Sequence, residues 1–269
     1  MKHSFVKCLL SIIMVISVLV ISGCSNQFKY SYGVFLNPKD LKECANYQTL
    51  VLEGTSYLTS TIKQLKKQGH TLYSYLNIGS LETWRSFYHQ YQDLIIGKYN
   101  NWDDEGWVNV ADARWQDLIM KEATSLKAKD FDGLFLDNFD VYYNNSNQSI
   151  YNGLVKILKH LNKLDIKIII NGGDTFIKKY LHENNNLNLF DGVNQETVFS
   201  KIIFNNQTFG KANKVDHQYF LDYIELCSKN NIDIYLLEYT KDKALIKQIK
   251  QYCQDKNFKY YISDSIDLD

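Results

Sequence analysis

The stretch Asp132-Gly133-Leu134-Phe135-Leu136-Asp137-Asn138-Phe139-Asp140 is apolar through its middle and acidic at its end. Gly133 to Leu136 carry no polar side chain, and Asp137, Asn138 and Asp140 then arrive within four positions. A short apolar run of this kind reads as a strand buried on both faces, the habit of parallel sheets. In α/β barrels the C-terminal tip of such a strand faces the active site. What that tip can do depends on whether Asp137 has a partner carboxylate on another strand.

The same design recurs on both sides of this stretch. Before it, residues 30–36, 49–53 and 71–78 read as strands; after it, residues 167–170, 192–194, 233–237 and 260–263 do the same. Helical spacing fills the gaps. Leu154, Ile157, Leu158 and Leu161 share one face of a helix over 149–161, and Leu118, Ile119, Ala123 and Leu126 one face of a helix over 115–127. Further helices are expected over 57–67, capped by Ser56 and stopped by Gly69, over 82–91, from Asp174 to about 183, and over 219–229 and 244–253. Two long polar connections, 93–113 and 201–214, interrupt this rhythm, and connections of that length in a compact domain are usually functional.

Eight strands alternating with helices predict an α/β fold, a (β/α)8 TIM barrel, in one domain over residues 30–269. An open doubly wound sheet is the alternative, but no Gly-x-Gly-x-x-Gly follows any strand. The sequence ends soon after Asp264, so the eighth helix is expected to be absent, with the segment before the first strand covering that side.

The first residues have a different character. Lys2 and Lys7 precede an almost wholly apolar run over 9–21, too short to span a bilayer comfortably. Ile21-Ser22-Gly23-Cys24 then resembles a bacterial lipobox. That resemblance implies a signal peptide over 1–23, lipidation of Cys24, a linker over 24–29, and an exported lipoprotein held at a membrane, at the cell surface or the periplasmic face. Of the remaining cysteines, Cys44, Cys227 and Cys253, the last two fall late in consecutive helices and could pair or stay free.

The 269 residues carry 30 basic and 30 acidic side chains, net zero. No basic face points to nucleic acid, and a monomer is expected. Polar residues concentrate instead where strands end: Tyr75 and Asn77, Asp137 to Asp140, Asn171, Gln195 and Glu196, Glu238 and Tyr239, Asp264. A barrel brings these tips to one face. Carboxylates there can act as acid, base or nucleophile, amides bind sugar hydroxyls, and aromatic rings stack on sugars, which is the equipment of a glycosidase. Asp137, Asp140 and Glu196 could instead hold a hard divalent cation. No histidine falls at a tip and no His-Glu-x-x-His is present, so neither metal nor cofactor is expected. Gly-x-Ser-x-Gly is likewise missing.

Tyr75-Leu-Asn-Ile-Gly-Ser80 with Glu82 and Trp84-Arg85, then Gly133 to Asp140, then Asn194-Gln195-Glu196, resemble glycoside hydrolase family 114 in motif order over nearly the whole chain beyond Cys24. The resemblance implies a (β/α)8 barrel and an endo-α-1,4-polygalactosaminidase-like activity on a galactosamine-containing polysaccharide. It implies Asp137 and Glu196 as the catalytic pair. Tyr75, Asn77, Glu82, Trp107, Asp140, Asn171, Glu238 and Asp264 are the candidates to bind substrate. Glu82 and Arg85, one helical turn apart, could equally pair with each other. Trp84 and Trp115 read as core, and Asp103 to Glu105 as a solvated loop or an extension of the acidic field. A lipid-anchored carbohydrate-binding protein, and a glycosidase for another cell-surface polymer, are the rival functions, because barrels host many chemistries.

Overall fold

A computed structural model describes residues 28–100, 102–183 and 189–269. The expected signal peptide over 1–23 and the expected lipidation site Cys24 lie outside the described residues. Eight parallel strands run in chain order around one sheet: β1 (Tyr30–Phe35), β2 (Tyr47–Leu52), β3 (Thr71–Asn77), β4 (Gly133–Asp137), β5 (Lys167–Asn171), β6 (Gly192–Glu196), β7 (Asp233–Tyr239) and β8 (Lys259–Ser263). β8 returns to β1, where the rings of Phe35 and Tyr261 pack at 5.1 Å and the Asn37 N–H donates to Leu268 O. The result is a (β/α)8 barrel. Past β8 the described chain forms no helix, and Leu268 is buried against the barrel mouth.

Six longer helices wrap the outside: α1 (Thr59–Lys67), α2 (Ala113–Ala128), α3 (Gln148–Asn162), α4 (Asp174–Glu183), α5 (Lys214–Lys229) and α6 (Lys243–Lys256). Four of them start at side chains that take the free N–H groups of a first turn. Asp112 accepts from Arg114 N, Asn147 from Ile150 N, Asn213 from Val215 N and Asp216 N, and Asp242 from Ala244 N and Leu245 N. Ser56 caps nothing; α1 begins later, at Thr59, without a side-chain cap. On α3 the predicted stripe Leu154, Ile157, Leu158 and Leu161 is fully buried. Burial of such side chains contributes roughly 1.5–3 kcal/mol each. Cys44, Cys227 and Cys253 are buried and free, so the pairing of the last two does not form.

Two departures from the expected pattern shape the barrel mouth. Residues 82–91 are not one helix. Ser80–Glu82 is instead a strand, paired antiparallel with Glu105–Val108, which pairs in turn with Ile95–Lys98; only Tyr88–Tyr91 make a helical turn. Backbone groups at 80–82 thus find their partners far along the chain, and local helical spacing is overridden. The second long connection folds into a hairpin, Ser200–Ile203 against Thr208–Lys211. These two excursions leave the C-terminal ends of β3 and β6, so both stand over the face where the tips converge. They touch where the rings of Trp102 and Phe204 meet edge-on at 6.1 Å.

Candidate active site

The tips of β4, β5 and β6 carry the centre of the site. Asp137 is the last residue of β4, Asn171 of β5 and Glu196 of β6. The chain turns away sharply after each: Asn138 has φ 68°, Gly172 φ 64° and Thr197 φ 56°. Asparagine and glycine visit the left-handed region readily, but a β-branched threonine there is strained. Strain held beside a reactive group is a mark of functional sites. The β3 tip is pressed against the β4 tip, and a Cβ on Gly79 would overlap the Asn138 carbonyl oxygen.

One amide joins the two carboxylates. Asn171 Nδ2 donates to Asp137 Oδ1 at 2.9 Å and to Glu196 Oε1 at 2.7 Å. Its orientation is set from below: Asn171 Oδ1 accepts from Asn194 Nδ2 at 2.6 Å, and Asn194 Oδ1 accepts from Tyr32 Oη at 3.0 Å. The carbonyl end is therefore occupied inside the barrel and both N–H groups face the carboxylates.

Asp137 and Glu196 are held differently. Asp137 accepts from Asn171, from Tyr75 Oη at 3.0 Å and from Asn138 N at 2.9 Å. Burial raises its pKa, and those three donors oppose the rise. Glu196 accepts from Asn171 and from Tyr239 Oη at 2.9 Å. Burial, then the negative charge of Asp137, push it up to about 7, against the donors. Two neighbouring acids with unequal support are the arrangement in which one stays charged and the other keeps its proton.

Around them lies a cleft of about 890 Å3, lined by ten carboxylate side chains and, among the described residues, one cationic one, Lys201. The wall acids include Glu53, Glu82, Asp104, Glu105, Asp140 and Asp174. The chain is neutral overall, yet this cleft attracts cations. Among the described residues no group of three or more His, Cys, Asp or Glu side chains is placed to hold a metal ion.

The other sequence candidates fall in varied places. Tyr75 and Asn171 touch the carboxylates as described. Asp140 lines the cleft, accepts from Gly173 N at 3.2 Å, and is pushed up to about 7 by burial and by Asp174. Glu82 also lines the cleft, but its charge is taken by Arg85 at 2.7 Å, which pairs with Glu53 at 3.0 Å as well. Asn77 is buried behind the wall, donating to Ser80 Oγ at 2.8 Å and accepting from Asn138 Nδ2 at 3.0 Å. It braces Asn138 and does not reach the cleft.

Three candidates are corrected outright. Glu238 is fully buried and faces away from the cleft, because side chains alternate along β7 and its neighbours Leu237 and Tyr239 take the cleft side. It accepts from Phe199 N at 3.0 Å, Ser200 N at 2.8 Å and Ser200 Oγ at 2.5 Å, and so anchors the base of the 200–211 hairpin. Trp107 is 4 % exposed and stacked beneath Tyr99 at 4.0 Å, so it is packing and not a sugar platform. Asp264 lies past the end of β8, exposed, with Lys241 at 3.8 Å beside a separate shallow hollow. Trp115 is core as expected, whereas Trp84 is 58 % exposed on the cleft.

Sequence reasoning passed over Tyr239 as a ligand of Glu196, although its place at the β7 tip was visible. It also left out Tyr99, which donates to Asn138 Oδ1 at 2.9 Å; Glu105, read with Asp103 and Asp104 as a solvated loop or an extension of the acidic field, is a half-buried acid of the cleft.

The model of glycoside-hydrolase family GH114 matches residues 22–267. Among solved structures, a point variant of the glycoside hydrolase domain of PelA from Pseudomonas aeruginosa superposes with a TM-score of 0.77 at 16 % identity, covering 89 % of this chain and 96 % of that one. The unaltered domain gives 0.75 at 16 %, covering 89 % and 95 %. Ega3 of Aspergillus fumigatus, solved in complex with galactosamine, gives 0.69 at 15 %, covering 90 % and 93 %. No curated protein is similar enough in sequence to count as a match.

Proposed function

The chain belongs to glycoside hydrolase family 114, and on that premise we propose that it cleaves internal α-glycosidic bonds of a galactosamine-containing polysaccharide with Asp137 and Glu196. The observation that carries the pair is the single Asn171 nitrogen within hydrogen-bond distance of both carboxylates. Asp137, charged and supported by three donors, attacks the anomeric carbon. Glu196, which keeps its proton to about 7, gives it to the departing glycosidic oxygen. Water then attacks the resulting ester at the anomeric carbon while Glu196 takes its proton back, and Asp137 leaves as the carboxylate.

The spacing supports retention of anomeric configuration. The facing oxygens are nearer than the two Asn171 hydrogen bonds laid end to end. Inverting sites need roughly 6.5–9.5 Å between carboxyl groups to seat a water, and retaining sites about 5–5.5 Å. The substrate class rests on charge: an acid-walled cleft suits a polymer of cationic, de-N-acetylated units, and Ega3 was solved with galactosamine.

The test is incubation of the chain with a de-N-acetylated galactosamine polymer. New reducing ends, shorter products and their loss in Asp137→Asn and Glu196→Gln are expected. Binding without new ends would make the chain a carbohydrate-binding protein, and cleavage confined to another polymer would overturn the sugar assignment. Export and anchoring through Cys24 are proposed from the sequence alone. Labelling by a radioactive fatty acid that persists in Cys24→Ser would sink that part.

A further inference from the structure

A second group of side chains on the cleft wall takes no part in the chemistry above. It belongs to the small antiparallel sheet between β3 and α2. Trp84 follows the Ser80–Glu82 strand and lines the cleft with more than half its surface open. One face of its indole is covered by the Arg85 guanidinium at 3.9 Å. Arg85 is itself clamped, donating from Nε to Glu82 at 2.7 Å and from Nη2 to Glu53 at 3.0 Å. An indole fixed from behind and left bare in front contributes little to the core. It is a rigid flat surface of the kind on which the C–H face of a sugar packs.

Glu105 stands on the neighbouring strand, directly opposite Glu82, and Thr83 N donates to Asp104 O at 2.8 Å between the two segments. Among the described residues its carboxylate takes one side-chain hydrogen bond, from Ser80 Oγ. Ser80 Oγ takes N–H groups from Asn77 at 2.8 Å and Asn138 at 3.0 Å, which occupies its lone pairs; its own hydrogen therefore goes to Glu105 Oε2. Glu53 and Glu82 share Arg85. Among the described residues no Lys, Arg or His lies within ion-pair distance of Glu105. A half-buried carboxylate with no cation beside it is a costly arrangement for a folded chain. The cost is offset once a ligand supplies the cation. Burial pushes the group up to about 7, as expected for a charge with no partner. Ser80 Oγ also links it through Asn138 to Asp137, so this place adjoins the catalytic pair.

We infer that Trp84 and Glu105 form a sugar subsite beside Asp137, in which the indole stacks on a pyranose ring and the Glu105 carboxylate takes the ammonium group of a de-N-acetylated amino-sugar unit. The inference rests on the function proposed above and adds what selects the substrate. An N-acetylated unit brings no positive charge and leaves Glu105 unpaired, so the subsite discriminates free amine from acetamide.

The experiment compares the full chain with Glu105→Gln, Glu105→Asp and Trp84→Ala on de-N-acetylated and N-acetylated galactosamine oligosaccharides, with melting temperatures alongside. Glu105→Gln should raise KM for the free-amine substrate about tenfold to a hundredfold, with kcat nearly kept and KM for the acetylated substrate unchanged. Glu105→Asp should restore part of the preference. Trp84→Ala, at a position more than half exposed, should raise KM for both substrates about tenfold with the melting temperature little changed. Parent cleavage with unshifted KM in the Glu105→Gln and Trp84→Ala chains, or an equal loss on both substrates in Glu105→Gln, would overturn the subsite alone. No cleavage of either substrate by the parent chain would overturn the proposed function and the subsite with it.

Discussion

Glu196 and Glu238 stand at the tips of adjacent strands of the barrel, and burial raises both to about 7, yet they face opposite ways. In the register of β6 with β7, Glu196 lies opposite Leu237, one residue before Glu238. That single residue sends one side chain into the cleft and the other behind it. Glu196 is held by two side chains of the cleft, Asn171 and Tyr239. Glu238 is held by two backbone N–H groups and a hydroxyl of the segment it anchors. A raised pKa at a strand tip therefore does not identify a catalytic acid. What distinguishes the two is whether the remaining hydrogen-bonding capacity opens onto the cleft or is used up inside the fold.

The largest expected effects break this comparison cleanly. Glu196→Gln should lower kcat by about a thousandfold, within the range for losing a general acid, and Asp137→Asn by at least as much. Melting temperature should barely move in either. Glu238→Gln should do the reverse. Its amide turns an N–H toward donors that need an acceptor, at a cost of about 1–3 kcal/mol in stability, while kcat stays within about tenfold. Urea unfolding beside initial rates on one substrate measures both. A Glu238→Gln chain that is stable and inactive would place Glu238 in the chemistry and remove the distinction.

Next in size is Asn171→Ala, which removes the donor common to both carboxylates. A fall of about a hundredfold in kcat is expected, since the two acids lose their shared positioning. The pH profile gives the more specific reading. In the proposed mechanism Glu196 must be protonated, so the alkaline limb should report its titration near 7, as a property of the coupled pair. Asn171 lowers that value by bonding to the charged form, and its removal should move the limb to higher pH. Unchanged limbs would mean that Asn171 does not act on the pair.

Why some of this was legible from residue order alone, and some not, comes down to the range of the interactions. The strands are short apolar runs ending in polar residues, a local signal, and the tips of β4, β5 and β6 carry Asp137, Asn171 and Glu196 in plain view. The Ser80–Glu82 strand was hidden because its partner, Glu105–Val108, lies far along the chain, while Glu82 and Arg85 sit at helical spacing and suggest a helix. Two tryptophans are hard to place from the sequence for the same reason. Trp107 stands in a polar connection and reads equally as a sugar platform or as packing against the barrel, and Tyr99 folds over it. Trp84 reads as core, but Arg85 holds it at the cleft. Glu238 could have been separated from Glu196 by applying strand alternation strictly to Leu237-Glu238-Tyr239.

A smaller effect should come from the second ligand of each glutamate. Tyr239→Phe removes one donor from Glu196 and should lower kcat about tenfold, with the alkaline limb again moving up. Ser200→Ala removes one donor from Glu238 and should cost about 1 kcal/mol of stability with little change in rate. Equal effects on rate would show that the hairpin anchor and the catalytic pair are coupled.

The finest test uses the titration of Glu238 itself. Its folded value is raised from the ordinary 4.5 to about 7. Between those limits the folded chain keeps a proton that the unfolded chain has already released. The folded state therefore binds more protons, and stability must fall as pH rises across that window. Glu105, Asp140 and Glu196 are raised as well and act in the same direction. The melting temperature of the parent chain should drop by on the order of 5 °C from pH 4.5 to 7. Glu238→Gln, less stable throughout, has no proton to lose at this position and should show a shallower slope. Glu196→Gln should flatten the slope too, and it alone of the two should also erase the alkaline limb of activity. If Glu238→Gln erased that limb instead, the proton that matters would lie behind the cleft and not in it.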